Sequence, residues 1–316
     1  MKRLLVVDGN HMARRAFHAM GYMSTRSGIQ SGVIYITLRI IRKLMLKFNP
    51  ERIVTVFDGG LEQQRKKVST YKQHHKKAPK HFYSQLEDLR KALSCIGVTT
   101  VRVKGVEADT LIGITAWKFY NEIDGVYVIS SDSDMLQLLN KKIRVYDDRK
   151  GKLWDTEEFS RNFPSSKPYE IIYVKSIAGD SPDDVEGVPG VGKATAWSAV
   201  KILREHVFNG GRNGLALLQH KEYRKKYLKA CKGSGRLARI ADYVDRIVAN
   251  ERVVKIPHFE GVLEEESLTD YRSQIGTSLR WQPKKLEELL IKYECLSLQD
   301  SLVESMYPLY LRGRTV

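Results

Sequence analysis

VYVISSDSD, residues 126–134, decides how this chain folds and what it does. Val126 to Ile129 form an apolar run of strand length, and Asp132 and Asp134 follow at once. The phrase has relatives. LLVVD ends at Asp8, RIVTVFD ends at Asp58, GVEAD sets Glu107 and Asp109 at the opening of a helix, and AGDSPDD carries Asp180 and Asp183. Eight carboxylates thus sit at turns, on a chain whose formal charge is +16. They read as a cage for hard divalent cations within a surface made for nucleic acid.

Outward from 126–134, the first half alternates strands and helices. Strands are expected at Leu4–Val7, Ile53–Phe57, Val98–Val103, Val126–Ser130 and Ile143–Tyr146. Residues 31–48 carry Val33, Ile36, Ile40, Leu44 and Phe48 at helical spacing, Glu107–Tyr120 is a second helix, and Met135–Leu139 a short third. Such alternation implies βαβ units and a mostly parallel sheet flanked by helices, an α/β fold. In open α/β sheets, ligands bind beyond the carboxyl ends of the strands. One Asp at such an end is an ordinary turn or cap residue. Asp8, Asp58 and Asp132 together, with Glu107 and Asp109 at a helix start, are more than capping needs.

Residues 60–85 interrupt the rhythm with a polar, basic stretch that contains Tyr71, Phe82 and Tyr83. An insertion of that length is usually functional or disordered. From about 150 onward the pattern is helical. Residues 170–205 read as helix, Gly/Pro-rich turn and helix, and 284–304 begin as a helix. No repeat or low-complexity tract is present.

The charge is concentrated in two blocks. Residues 62–82 hold seven Lys/Arg against Glu62 alone, and residues 201–239 hold eleven against Glu205 and Glu222. Blocks of this kind favour polyanions through phosphate contacts and counterion release. Cys95, Cys231 and Cys295 lack zinc-like spacing and read as reduced structural thiols. No apolar run approaches the ~20 residues that span a bilayer, and only Lys2 and Arg3 precede the first strand, too little for a signal peptide. The expected setting is cytoplasmic, without membrane contact.

GVPGVGK, Gly187 to Lys193, opens another helix. Gly190 and Gly192 permit positive φ and close backbone approach, leaving helix N-terminal amides free to face a phosphate. Gly187, Gly192 and Lys193 match the P-loop spacing, but Ala194 stands where the magnesium-binding hydroxyl belongs, and an Asp-rich turn replaces the expected strand. A helix–hairpin–helix that grips a nucleic-acid backbone fits better than a phosphate-binding loop of that class. The plain alternative is an interhelical turn with glycine caps.

These phrases, in this order, resemble the flap endonuclease / 5′→3′ exonuclease family, which includes standalone bacteriophage enzymes and the 5′-nuclease domain of DNA polymerase I. VVDGNHMARRAFHAM, VFDGG, VEADTLIG, ISSDSDMLQL and AGDSPDDVEGVPGVGKATA are each similar to a family motif, and the resemblance covers most of the chain. It implies a PIN-like nuclease core over 1–165 and a helical DNA-binding region over 166–316. The core would carry a helical arch near 60–85, and the helical region a helix–three-turn–helix element near 170–205. It also implies structure-selective 5′ nuclease activity by two divalent cations, Mg²⁺ or Mn²⁺, on branched or 5′-ended DNA and on RNA–DNA primers, in replication or repair. Asp8, Asp58, Glu107, Asp109 and Asp132 would serve mainly the first metal, and Asp132, Asp134, Asp180 and Asp183 mainly the second. Without cations these carboxylates should repel, so a metal-free cage is expected to be disordered or partly protonated. Arg65, Lys66 and Lys67 are alternatives for the cation at the base of the arch that meets the scissile phosphate. Tyr71 and Lys72 would contact nucleic acid, as would Gly190, Gly192 and Lys193, with a monovalent cation (K⁺) on the backbone carbonyls of 187–193. A monomer is expected, with replication proteins as further partners. No polymerase sequence follows, so the chain reads as a standalone nuclease of bacteriophage type.

The chain departs from the family pattern in four places. Thr110 replaces an acid, Ser133 a basic residue, Asp184 an Asn and Glu186 a Pro. The alternatives are a PIN-like ribonuclease, which should lack the arch and the hairpin, and a structure-specific binder whose acidic cage has decayed.

Overall fold

A computed structural model describes residues 2–20, 22–67, 71, 72, 74, 78–208 and 214–312; of Lys67 it describes the backbone alone. Six strands form one sheet: β1 Arg3–Asp8, β2 Arg52–Val56, β3 Thr99–Val101, β4 Gly125–Ile129, β5 Ile143–Asp147 and β6 Lys152–Trp154. Their order is β3-β2-β1-β4-β5-β6. All pairings are parallel except β5–β6. The antiparallel β6 was not expected, and β3 is shorter than Val98–Val103. The central strands are nearly continuous apolar runs because both faces of the sheet are covered by helices.

Chain order reverses between β1 and β4, which makes their carboxyl ends a topological switch point. Helices α1 Gly9–Met20 and α2 Gly32–Phe48 lead from β1 to β2, and α3 Glu62–Lys67 and α4 Lys80–Cys95 lead from β2 to β3. α5 Ala108–Lys118 precedes β4. The expected helix Met135–Leu139 is a 3₁₀ turn at Ser133–Leu138, nucleated by Asp132, whose side chain accepts from the Asp134 amide. β6 is followed by α6 Thr156–Asn162, α7 Glu170–Ala178 and α8 Lys193–Ile202, the last continuing as a wider turn through Val207.

Three apolar clusters hold this together. One covers the sheet face under α2 and α4 and takes in Leu286, Leu302 and Met306 from the C-terminal helices. A second covers the α5 face and takes in Ile256, Tyr271 and Ile275. The third joins α7 and α8 to the helices up to Val254 and also buries Tyr71. Residues 256–309 therefore pack back onto the sheet, while 172–254 build the separate layer that carries the hairpin. Among the described residues no helix is long and apolar enough to cross a membrane.

Candidate metal centre and nucleic-acid interface

Asp8 ends β1 and is buried. Its Oδ1 accepts from the His11 amide at 2.9 Å and its Oδ2 from Ser130 Oγ at 3.1 Å. Ser130 Oγ in turn accepts from the Asp132 amide at 3.2 Å, which ties the ends of the neighbouring strands β1 and β4 together. Asp58 lies two residues beyond β2; its amide donates to Asn10 Oδ1 at 3.1 Å, and its Oδ1 accepts from the Gly60 amide at 3.2 Å. Glu107 and Asp109 sit at the first turn of α5. Burial pushes the Asp8 carboxyl upward, and the hydrogen bond from His11 opposes it. Asp109 is driven well above the usual carboxylate range, first by burial and then by Asp132 and Asp8. Asp109 is thus the point where the β1, β4 and α5 carboxylates face one another.

Asp134, Asp180 and Asp183 offer oxygens that all lie within 4.8 Å of one another. The turn after α7 brings Asp180 and Asp183 there. Gly179, at φ +82°, lets the chain leave the helix beside Gly187, where a side chain would strike the backbone. Burial and then Asp132 raise the Asp134 carboxyl to about 7.

Two ammonium groups close the cage. Lys175, on α7, donates to Asp134 and, at 2.6 Å, to Asp180. Lys72 lies 2.8 Å from Glu107 and 3.3 Å from Asp183. Burial alone would lower both amines, but the facing carboxylates more than offset it and keep them charged. The cage is therefore ordered, by these lysines as well as by backbone amides, and its burial and crowding weaken the carboxyls of Asp8, Glu107, Asp109, Asp134 and Asp183 as acids, raising the pH at which each ionises. The donor set fits the cations the sequence implies: carboxylate oxygens with no thiolate or imidazole in the cluster suit hard ions such as Mg²⁺ and Mn²⁺. Lys175 was not singled out in the sequence. Its signal is a lone cation in the apolar helix IIYVKSIA, five residues before Asp180.

The 60–85 segment is only partly described. At its base, Arg65 Nε and Nη2 donate to the Tyr71 carbonyl at 3.2 Å and the Lys72 carbonyl at 3.0 Å. Lys66 pairs with Glu264 at 2.5 Å on the surface. The Lys67 side chain, and the 68–70, 73 and 75–77 part of the expected arch, lie outside the described residues. Tyr71 is 4% exposed, with its hydroxyl 3.4 Å from Asp183, so its ring lies inside the third cluster and does not face solvent for stacking. Phe82 is buried on α4 against Phe17, while Tyr83 is exposed. Lys72, expected at nucleic acid, has its ammonium between Glu107 and Asp183.

The hairpin 187–192 borders a cavity of about 1000 Å³ lined also by Tyr71, His74, Ser181, Arg246 and Asn250. Gly190 has φ +76°, and Gly192 caps α8 with open space where a side chain would lie. Lys193 is exposed at the start of α8. Arg239 and Arg246 donate to the carbonyls of Pro189 and Gly187 at 3.1 and 3.2 Å. Asn250 bridges the Ser176 and Glu186 carbonyls at 2.9 and 2.8 Å and fixes the hairpin to α7. The cage and the hairpin are thus two ends of one turn, 179–192.

Residues 3–164 match the family model described as 5′-3′ exonuclease, N-terminal resolvase-like domain. The chain is 31% identical over 202 residues to a 5′-3′ exonuclease of Aquifex aeolicus, covering 64% of this chain and 70% of that protein. It is 29% identical over 239 residues to a 5′-3′ exonuclease of Buchnera aphidicola, covering 71% of this chain and 82% of that one. A T5 5′-exonuclease structure with bound zinc ions shares the fold, with a TM-score of 0.63 at 18% identity over 92% of this chain and 99% of that one. With an acid-edged, mostly parallel sheet and a family match across the whole of it, this chain belongs to the 5′-3′ exonuclease family.

Proposed function

We propose that this member of the family is a structure-selective 5′ nuclease, with exonuclease and flap-endonuclease activity on DNA and on RNA–DNA primers in replication or repair. The observation that carries this is the continuous hydrogen-bonded run Asp8–Ser130–Asp132–Asp134–Lys175–Asp180, with a second bridge, Asp183–Lys72–Glu107, beside it. In this reading Asp8, Asp58, Glu107, Asp109 and Asp132 hold one divalent cation and Asp132, Asp134, Asp180 and Asp183 a second. Such a pair, when bound, supplies Lewis acidity and charge neutralisation at the scissile phosphate.

The chain's own groups do the rest. The His11 amide, Ser130 hydroxyl and Asp134 amide fix carboxylate orientation. The hairpin amides and Lys193 hold a duplex phosphate away from the cage. Arg65 is tied to the Tyr71 and Lys72 carbonyls and Lys66 to Glu264, and Arg65, Lys66 and Lys67 stay the alternatives for the arch cation that meets nucleic acid. A potassium ion on the 187–193 carbonyls is also proposed; it would compete with Arg239 and Arg246 for two of them. The chain is proposed to act as a monomer in the cytoplasm.

A 5′-flap DNA titrated with Mg²⁺ tests the reading. Wild type should release 5′ products only with the cation, and Asp132→Ala should bind the flap without cutting it. Cleavage by that variant at the wild-type rate would remove the two-metal assignment. Cleavage confined to single-stranded RNA would favour a PIN-like ribonuclease.

A further inference from the structure

We propose that Lys175 is a built-in counter-cation for half of the cage, displaced by the divalent cation that binds there, and so sets that site's metal affinity. This deepens the metal-centre reading above and rests on it. Lys175 sits on α7 among Ile171, Ile172, Val174 and Ile177, where an uncompensated ammonium would be costly. It is itself 9% exposed. Its ammonium bonds to Asp134 and Asp180. Those two carboxylates, with Asp183, are the group whose oxygens lie within 4.8 Å of one another. Ammonium and ion therefore compete for the same carboxylates.

The charges decide between sharing and exchange. With all three carboxylates ionised they carry −3; Lys175 and Lys72, which lies 3.3 Å from Asp183, leave −1, so a divalent ion joined by both ammoniums would over-neutralise them. An ammonium left ~4 Å from that ion would be repelled by several kcal/mol at an effective dielectric of ~20. The ion replaces the ammonium's charge on those carboxylates, and the flexible lysine stem lets the ammonium withdraw from it. Lys72 stands in the same relation to Glu107 and Asp183, but it also comes within 5.1 Å of the Tyr71 ring centroid, which gives it a second anchor. Of the two, Lys175 is the one held, among the described residues, by the cage alone.

The consequence is a trade. Lys175 keeps Asp134 and Asp180 in place without metal, and it weakens the metal when it arrives. The test uses the full chain without nucleic acid, with free Mn²⁺ followed by electron paramagnetic resonance. Lys175→Met should bind Mn²⁺ at one of its two sites about tenfold or more tightly than wild type, and should melt at lower temperature in EDTA. Lys175→Arg, which keeps the charge, should follow wild type in Mn²⁺ affinity. Equal or weaker Mn²⁺ binding by Lys175→Met overturns the exchange while leaving the metal centre intact. Absence of Mn²⁺ binding in all three proteins overturns the metal centre itself and the exchange with it. Should Lys175→Met fail to fold, a wild-type crystal soaked in Mn²⁺ decides: Nζ should have left Asp134 or Asp180, and an ion bound with Nζ still on both overturns the proposal.

Discussion

Thr110 Oγ1 accepts a hydrogen bond from Gln64 Nε2 at 3.2 Å, and both residues are buried. The acid that the family pattern places at 110 is thus replaced by a neutral tie between α5, which carries Glu107 and Asp109, and α3, the base of the arch. Thr110→Val removes the acceptor and strands the Gln64 amide, at a cost of ~1–3 kcal/mol. Urea unfolding should show that loss. Thr110→Asp should cost more in EDTA and recover part of it in Mg²⁺, because it adds a fourth carboxylate beside Glu107, Asp109 and Asp58. An unchanged midpoint for Thr110→Val would show that the tie contributes nothing.

Metal-free stability should depend on pH through Asp134. Its carboxyl titrates near 7 in the folded chain against an ordinary value of 3.8. The folded state therefore holds a proton that the unfolded state has lost between about pH 4 and 7. The stabilisation is complete below pH 4 and disappears as pH rises through 7. Melting temperature in EDTA should fall from pH 5 to pH 8, and Asp134→Asn should flatten that part of the curve. Asp8 and Asp109, also raised, act in the same direction, so the variant should reduce the slope without abolishing it. A melting temperature that rises across this range would contradict the assignment.

The hairpin glycines should fall in a definite order. A Cβ on Gly187 would lie 2.2 Å from the carbonyl carbon and oxygen of Ala178, a backbone that cannot give. A Cβ on Gly190 meets only the movable Arg239 guanidinium at 3.0 Å, but its φ of +76° strains any L side chain by ~1 kcal/mol. Gly192 has nothing within 4 Å and an ordinary φ. Gly187→Ala should therefore destabilise most and displace Asp180, lowering Mn²⁺ affinity. Gly190→Ala should be intermediate, and Gly192→Ala should leave stability unchanged within ~0.5 kcal/mol. Equal melting temperatures for all three would refute this order.

Strand ends and acids were legible in the sequence because an apolar run followed by Asp is a local signal. Asp8, Asp58, Asp132 and Asp134 needed nothing more. What the sequence left hidden depends on distant partners. Lys175 is a lone cation in an apolar helix, and its partner Asp134, 41 residues away, is not legible from that segment. Lys72 and Tyr71 read as nucleic-acid contacts, and what the sequence does not show is that they also reach Glu107 and Asp183, 35 and 112 residues away respectively. Thr110 looked like a missing ligand because its partner Gln64 lies on another helix. β6 was missed because three residues of KLW carry no period of their own and pair only through the β5 edge.

The last prediction concerns a buried pair outside the cage. Arg204 Nη1 lies 2.9 Å from both oxygens of Glu170, which is 2% exposed and also accepts from the Lys167 amide at 2.9 Å. Arg204 follows α8, and Glu170 opens α7, so the pair clamps the two helices whose connecting turn carries Asp180, Asp183 and the hairpin. Arg204→Met keeps much of the side-chain volume but strands a buried carboxylate, a loss of ~3–5 kcal/mol. The double variant Arg204→Met/Glu170→Gln should recover most of it, because no charge is then left uncompensated. Its flap-DNA affinity should recover in parallel, since helix spacing and not the charge itself sets the hairpin. Urea unfolding and flap binding on the wild type and both variants check this. Stability restored without affinity would mean that the pair acts on nucleic acid directly.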